Sequence, residues 1–278
     1  VKLFDDDFNK RITVKSPVQY SGGKHYARQT LSDFIPIGIN KLVSPFFGGG
    51  SLELYLTRRG IKILGFDAFE PLVNFWYVIT SKPDKLYKEV DHYLKLYDRE
   101  YFQKMQQGGF NKLTCSLERA ALFYLLQGLS YNCRGFRGKA IRNYQLVDGK
   151  LINPSRKSWG QLFDIEEIKD FYNPFFSVKH MDFKESLTRY KDIYAYCDPP
   201  YPEVTGIYGD SKEYHENFDH EALKEILDMR TVEYTLSYNN CKTVRKLYPE
   251  DKYRLYFPDW KQGSRASGRG NEILIKPK

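Results

Sequence analysis

An α/β fold built on an open sheet is predicted by three features of the sequence. Lys41-Leu42-Val43-Ser44-Pro45-Phe46 is a short apolar run that enters the loop Phe47-Gly48-Gly49-Gly50-Ser51 and then a helical stretch, 52–59. Strand, glycine loop and helix form the first half of a nucleotide-binding unit. Ile61 to Asp67 is a second strand closed by an acidic residue, 17 residues after Gly50. Asp192 to Cys197 is a third buried run, and it ends in Asp198-Pro199-Pro200-Tyr201. Neither proline can donate to a sheet ladder, so the strand stops there. In an open α/β sheet the carboxyl ends of the strands are where ligands bind.

In chain order, Tyr20-Ser21-Gly22-Gly23-Lys24 precedes a predicted helix from His25 to Phe34, closed by Pro36. Paired glycines let backbone N–H groups approach a ligand, and Lys24 adds a cation. The glycine loop is neither G-x-G-x-x-G nor followed by G-K-[ST], which disfavours a dinucleotide or a P-loop. Asp67 is placed either to bond ribose hydroxyls or to cap the helix expected over 71–79. From 81 to 175 the α/β rhythm stops, and helices are expected over 86–105 and 117–129. Strands return at 175–182, ending near Asp182, and at 192–197, 232–238, 253–257 and 272–276. A helix is expected over 220–229. The segment 202–217 reads as a mobile loop.

The chain has 278 residues, 41% of them hydrophobic and 16% aromatic, which is ample for a large core. The formal net charge is +8, and nucleic acid is the first acidic partner to consider. Between Arg119 and Trp159 stand eight basic residues and one acidic residue, Asp148. A solvated face mixes both signs, so this segregation favours phosphate contact. Cys115, Cys133, Cys197 and Cys241 are widely spaced, and neither a metal site nor a disulfide framework is expected. A reducing cytoplasm fits. No apolar run reaches the roughly 18 residues of a spanning helix, and the amino terminus does not resemble a signal peptide.

Asp198 can accept from an amino group, each proline leaves a carbonyl free, and the Tyr201 ring can stack on a flat heterocycle. Such a set would hold a planar base with an exocyclic amine. A carboxylate at Asp182 would suit the amino group of a ligand adenine.

Taken together, these motifs resemble the Dam-like, alpha-group DNA adenine-N6 methyltransferases over nearly the whole chain. Ser21-Gly22-Gly23-Lys24 is similar to the family's A-G-G-K. Pro45 to Ser51 is similar to its P-F-x-G-x-G-S loop, and Tyr196 to Tyr201 matches its catalytic motif letter for letter. Arg119-Ala120-Ala121-Leu122-Phe123 and Tyr131-Asn132 resemble its insertion. The family's R-x-N-x-x-G-x-F-N-x-P segment is not clearly present after Tyr131-Asn132, which leaves the target sequence open.

The resemblance implies a Rossmann-like S-adenosylmethionine-dependent methyltransferase fold with a mixed seven-stranded sheet. A catalytic domain of 1–80 and 176–278 would carry a mostly helical target-recognition insertion of 81–175. Asp198, Pro199, Pro200 and Tyr201 would be catalytic. Tyr20, Ser21, Lys24, Phe46, Phe47, Gly48, Gly50, Asp67, Asp182 and Phe183 would hold S-adenosylmethionine. Arg119, Tyr131, Asn132, Arg134, Arg137, Lys139 and Arg142 would contact double-stranded DNA. No metal and no membrane partner are implied, and a monomer or weak dimer is expected, with a restriction endonuclease as a possible functional partner. The rivals are cytosine-N4 methylation, adenine methylation in RNA, and a silent DNA-binding relative.

Overall fold

The computed structural model describes residues 12–20, 22–130, 135, 141–142, 144–147, 150–152, 165–202, 218–258 and 271–278. Helix α1 (Arg28–Asp33) leads into strand β1 (Lys41–Ser44), the glycine loop and helix α2 (Ser51–Leu56). After a single 3-10 turn come β2 (Lys62–Asp67) and α3 (Glu70–Ser81). The next elements are α4 (Pro83–Lys95), α5 (Arg99–Gln106), α6 (Ser116–Leu129), the hairpin β3 (Gln145–Val147) and β4 (Lys150–Ile152), and α7 (Glu166–Lys169). The chain then returns to the sheet through β5 (Phe176–His180), α8 (Phe183–Arg189), β6 (Ala195–Cys197), α9 (His220–Asp228) and β7 (Tyr234–Asn239). It finishes with α10 (Lys242–Leu247), β8 (Tyr253–Tyr256) and β9 (Glu272–Pro277).

Seven strands form one sheet in the order β5-β2-β1-β6-β7-β9-β8. The pairs from β5 to β7 are parallel, and β9 lies antiparallel between β7 and β8. The expected mixed seven-stranded sheet is therefore present. From β1 the chain winds outward through β2 to β5, then crosses to β6 on the other side of β1. That reversal opens a crevice at the carboxyl ends of β1 and β6.

Both faces of the sheet are covered, so successive side chains enter different cores. Leu42, Ile63, Tyr196 and Leu274 join one cluster with Phe75 and Trp76 of α3. Val43, Phe66, Ala195, Cys197, Ile273 and Ile275 join the other, with Leu223 and Leu227 of α9 and Val244 of α10. Ten consecutive residues of α6, from Ala120 to Leu129, are buried. A helix apolar all round belongs inside the core, and α6 shares the first cluster with the sheet.

Several local expectations need correction. The helix expected over 86–105 is two helices, because Asp98 accepts from the backbone N–H of Glu100 and starts a new one. The hairpin of β3 and β4 was not expected, although Asp148-Gly149 is a strong hairpin dipeptide. Helix α8 was not expected either. Its signal is Asp182-Phe183-Lys184-Glu185, a capping-box spacing, and the Asp182 side chain does accept from the Glu185 N–H. The expected loop of 202–217 lies, after Pro202, outside the described residues. No helix among the described residues is long and apolar enough to cross a membrane.

Gly65 of β2 lies under the ring of Phe47, and a Cβ there would come within 2.3 Å of it. Phe47 is buried and is flanked by Trp76 and Phe176. Gly65→Ala should therefore destabilise the fold by roughly 1–3 kcal/mol through overpacking. Denaturant unfolding of the two proteins measures this, and equal stability would contradict the packing described.

Candidate active site

The loop between β1 and α2 is shaped from beneath. Phe47 donates its backbone N–H to the Phe66 carbonyl at 2.9 Å, and Gly50 donates to the Phe47 carbonyl at 2.9 Å. Gly48 donates to Asp67 Oδ2 at 2.9 Å, while its carbonyl accepts from Trp76 Nε1 at 3.0 Å. Gly50 has φ of 62°, and a Cβ there would meet the Phe47 ring at 2.6 Å. Only glycine fits that conformation and that contact. Phe47 thus borders the cavity while its ring anchors the loop. The second oxygen of Asp67 accepts from the Phe69 N–H at 2.9 Å. The N-cap of α3 is Phe69, so Asp67 closes the turn before the helix and is not the cap itself.

A cavity of about 420 Å³ opens at the reversal point of the sheet. Its floor is the glycine loop with Tyr20. Asp67, Glu53, Lys24 and Asp198 also line the cavity, the last two in contact with each other. Phe46, Phe183 and Phe218 form an aromatic wall: Phe46 stacks on Phe183 with centroids 5.6 Å apart, and Phe218 meets both. Asp182 and Asp219, the caps of α8 and α9, border the same space.

Asp198 is held by a closed ring of polar contacts. Its Oδ2 lies 2.8 Å from Lys24 Nζ, which is also 3.6 Å from Glu272 Oε1. Its Oδ1 accepts from the Tyr201 hydroxyl at 3.1 Å. That hydroxyl is 3.1 Å from Ser237 Oγ, which in turn lies 3.5 Å from Glu272 Oε2. The Lys24 side chain is 9% exposed. Burial opposes its charge, but Asp198 and Glu272 outweigh burial and raise its pKa above the usual lysine range. The ammonium also sits 4.9 Å from the centre of the Tyr201 ring. Pro199 and Pro200 border the cavity, whereas Tyr201 is not among its lining residues and its ring lies 5.9 Å from that of Tyr238. Asn239 Nδ2 donates to the Pro202 carbonyl at 2.9 Å and fixes the end of this turn.

Glu53, in the first turn of α2, was not anticipated. It is 4% exposed and accepts from Ser44 Oγ at 2.7 Å. Burial is the main cause that pushes its carboxyl up from 4.5 to about 7, and the Ser44 hydrogen bond opposes the rise. Its one signal in the sequence is an acid inside the apolar run Leu52-Glu53-Leu54. Phe218, Ser237 and Glu272 carried no local signal.

Arg119, expected on DNA, is engaged within the fold. It pairs with Glu70, lies over the Phe110 ring at 4.9 Å and reaches the Leu113 carbonyl. Arg142 donates to the Tyr144 hydroxyl at 3.3 Å. Ser21, Tyr131, Asn132, Arg134, Arg137 and Lys139 lie outside the described residues. Among the described residues no group of three or more His, Cys, Asp or Glu side chains could hold a metal ion.

An α/β sheet with a glycine-loop cavity and an Asp-Pro-Pro-Tyr turn at its reversal point places a carboxylate on the border of that cavity. The chain belongs to the D12 class N6 adenine-specific DNA methyltransferase family, whose profile matches residues 20–262. It is 26% identical over 264 residues to the type II methyltransferase M.MjaIII of Methanocaldococcus jannaschii, covering 85% of this chain and 89% of that one. It is 25% identical to the type II methyltransferase M.FokI of Planomicrobium okeanokoites, covering 78% of this chain and 33% of that one. To the DNA N-6-adenine-methyltransferase of Escherichia phage P1 it is 21% identical, covering 87% of this chain and 32% of that one. The chain therefore spans about a third of the length of the latter two relatives.

The raised Glu53 pKa carries a stability consequence. Between pH 4.5 and about 7 the folded chain binds a proton that the unfolded chain has released. The stability this confers is complete below the unfolded value and is lost as pH rises through 7, by about 3 kcal/mol at most. Glu53→Gln removes that titration, so its stability relative to the native chain should be higher at pH 8 than at pH 5. Melting temperatures at the two pH values check this.

Proposed function

We propose that the protein transfers a methyl group from S-adenosylmethionine to the N6 amine of an adenine taken out of double-stranded DNA. The observation that carries the reading is the position of Asp198, at the carboxyl end of β6 and on the border of a cavity floored by the glycine loop. The cavity fits the methyl donor. Asp67 suits ribose hydroxyls, the wall of Phe46, Phe183 and Phe218 suits an adenine ring, and Lys24 suits a carboxylate. Tyr20, Gly48 and Gly50 shape the floor, and Asp182 offers an acceptor for an exocyclic amine.

The bound donor supplies a methyl group already activated on sulfonium, so the protein's work is positioning. Asp198 and the Pro199 carbonyl accept the hydrogens of the target amine and hold its nitrogen in line for attack. Holding two reactants in this way supplies roughly 7–11 kcal/mol of the barrier. Tyr201, through its hydroxyl, fixes the Asp198 carboxylate in the orientation that attack requires. Pro200 stiffens the same turn. Extruding the base costs a few kcal/mol of unstacking and unpairing.

In this reading 1–80 and 176–278 form the catalytic part, and 81–175 recognises the target. The basic stretch with Arg134, Arg137, Lys139 and Arg142 contacts phosphates. The protein works as a monomer or weak dimer in the cytoplasm. Two of the relatives are named type II methyltransferases, which supports a functional pairing with a restriction endonuclease.

Asp198→Ala should lower single-turnover methyl transfer by about a hundredfold or more, with DNA still bound. Digestion of the methylated DNA should yield N6-methyladenosine in its deoxy form. Near-normal transfer by the variant, or a methylated cytosine, would overturn the assignment. For the basic segment, replacing Arg137 and Lys139 with Gln should flatten the slope of log K against log salt by about 0.9 for each phosphate that is no longer neutralised. An unchanged slope would place those residues away from the backbone.

A further inference from the structure

Resting on the methyl-donor reading, we infer that Glu53 receives the α-ammonium group of the donor's methionine moiety and acts as a specificity residue for that end of the molecule. The first support is location. Glu53 lies in the first turn of α2, borders the cavity, and is 4% exposed. A buried carboxyl at a cavity wall is costly unless a cation or strong donors meet it. Ser44 supplies one hydrogen bond and the backbone of Glu53 itself another, and among the described residues Glu53 forms no ion pair. The nearby cation, Lys24, pairs with Asp198 and Glu272 rather than with Glu53.

The second support is chemical complementarity. The methionine end carries a carboxylate, an ammonium and, in the donor, a sulfonium. A sulfonium offers no N–H or O–H, whereas an ammonium offers three donors. Lys24 suits the carboxylate, and Glu53 matches the ammonium in charge and hydrogen bonding. The charged groups facing Glu53 are Asp198 at the end of β6 and Lys24 ahead of α1. Tyr196 of β6 also faces it, and burial raises that phenol far above its ordinary range, so it stays neutral. The Glu53 carboxyl, pushed up to about 7 chiefly by burial, is largely protonated in slightly acidic solution. An ammonium beside it favours the charged form, so binding in this range should release a proton and strengthen as pH rises.

The test is calorimetry with S-adenosylhomocysteine, which keeps the ammonium and carboxylate but lacks the sulfonium charge. Measurements at about pH 5.5 and 7.5 stay below the usual range of an α-amino group, roughly 7.7–8.0. The native chain should bind more tightly at the higher pH, with proton release. Glu53→Gln should bind roughly ten- to a hundredfold more weakly at the higher pH, nearly normally at the lower pH, and without a pH slope. Methylthioadenosine, which lacks the amino acid, should bind both chains equally. Ser44→Ala removes a donor that favours the charged carboxyl and should move the pH midpoint upward. Equal binding of S-adenosylhomocysteine by native and Glu53→Gln chains overturns the inference and leaves the donor reading standing. Equal weakening toward both ligands, or a midpoint indifferent to Ser44→Ala, also overturns it. If the native chain binds neither ligand, the donor reading falls and the inference with it.

Discussion

The buried ammonium of Lys24 stands between two carboxylates that the fold brings together from strands on either side of β7. Asp198 ends β6 and Glu272 begins β9. A buried ion pair of this kind is weak evidence for stability in itself, because desolvation offsets much of the attraction. Its value is geometric. With Lys24 on one oxygen and Tyr201 on the other, the carboxylate of Asp198 has one orientation. A carboxylate held in one orientation is what the positioning role proposed for it needs.

The glycine loop shows the same economy of parts. Its outer surface borders the cavity, but its shape is dictated by groups below it. Phe47 fills the space left by the absent side chains of Gly50 and Gly65, Asp67 ties down the Gly48 N–H, and Trp76 holds the Gly48 carbonyl. One aromatic ring therefore couples the second strand, the loop and α3. Asp67 joins the structural work of the loop to the cavity, because both of its oxygens accept backbone N–H groups while its edge still borders the open space.

Much of this was legible in the sequence. The sheet's strands are buried on one or both faces, read as compact apolar or β-branched runs, and several end at a marker: Pro45, Asp67, Asp198. The carboxylates at those ends were readable because the sheet's ligand edge is a property of topology. What could not be read were contacts between residues distant along the chain. Lys24 was identifiable as a cation beside two glycines, yet nothing local announced Glu272 or Ser237. Glu53 hid inside an apolar helix turn, where an acid is easily taken for a surface residue. Arg119 was legible as basic, but its attachment to Glu70 and Phe110 depends on how α3 and α6 pack. Two further local signals stand in the sequence, the capping-box spacing at Asp182 and the Asp148-Gly149 dipeptide.

The closed ring around Asp198 joins residues 24, 198, 201, 237 and 272, and so spans nearly the whole sequence. Its last member lies on a strand that inserts between β7 and β8 after both have been made. During synthesis, the earlier strands can pair and bury most of their apolar surface before β9 leaves the ribosome. Until then Lys24 lacks the second of its two carboxylates, and Ser237 has no strand beside it on the β9 side. The contacts of Asp198 are thus completed later than the strand that carries it, and a chain stopped short of β9 would keep the five parallel strands but leave β8 without its partner. With the role proposed for Asp198, this ordering ties activity to the arrival of that strand.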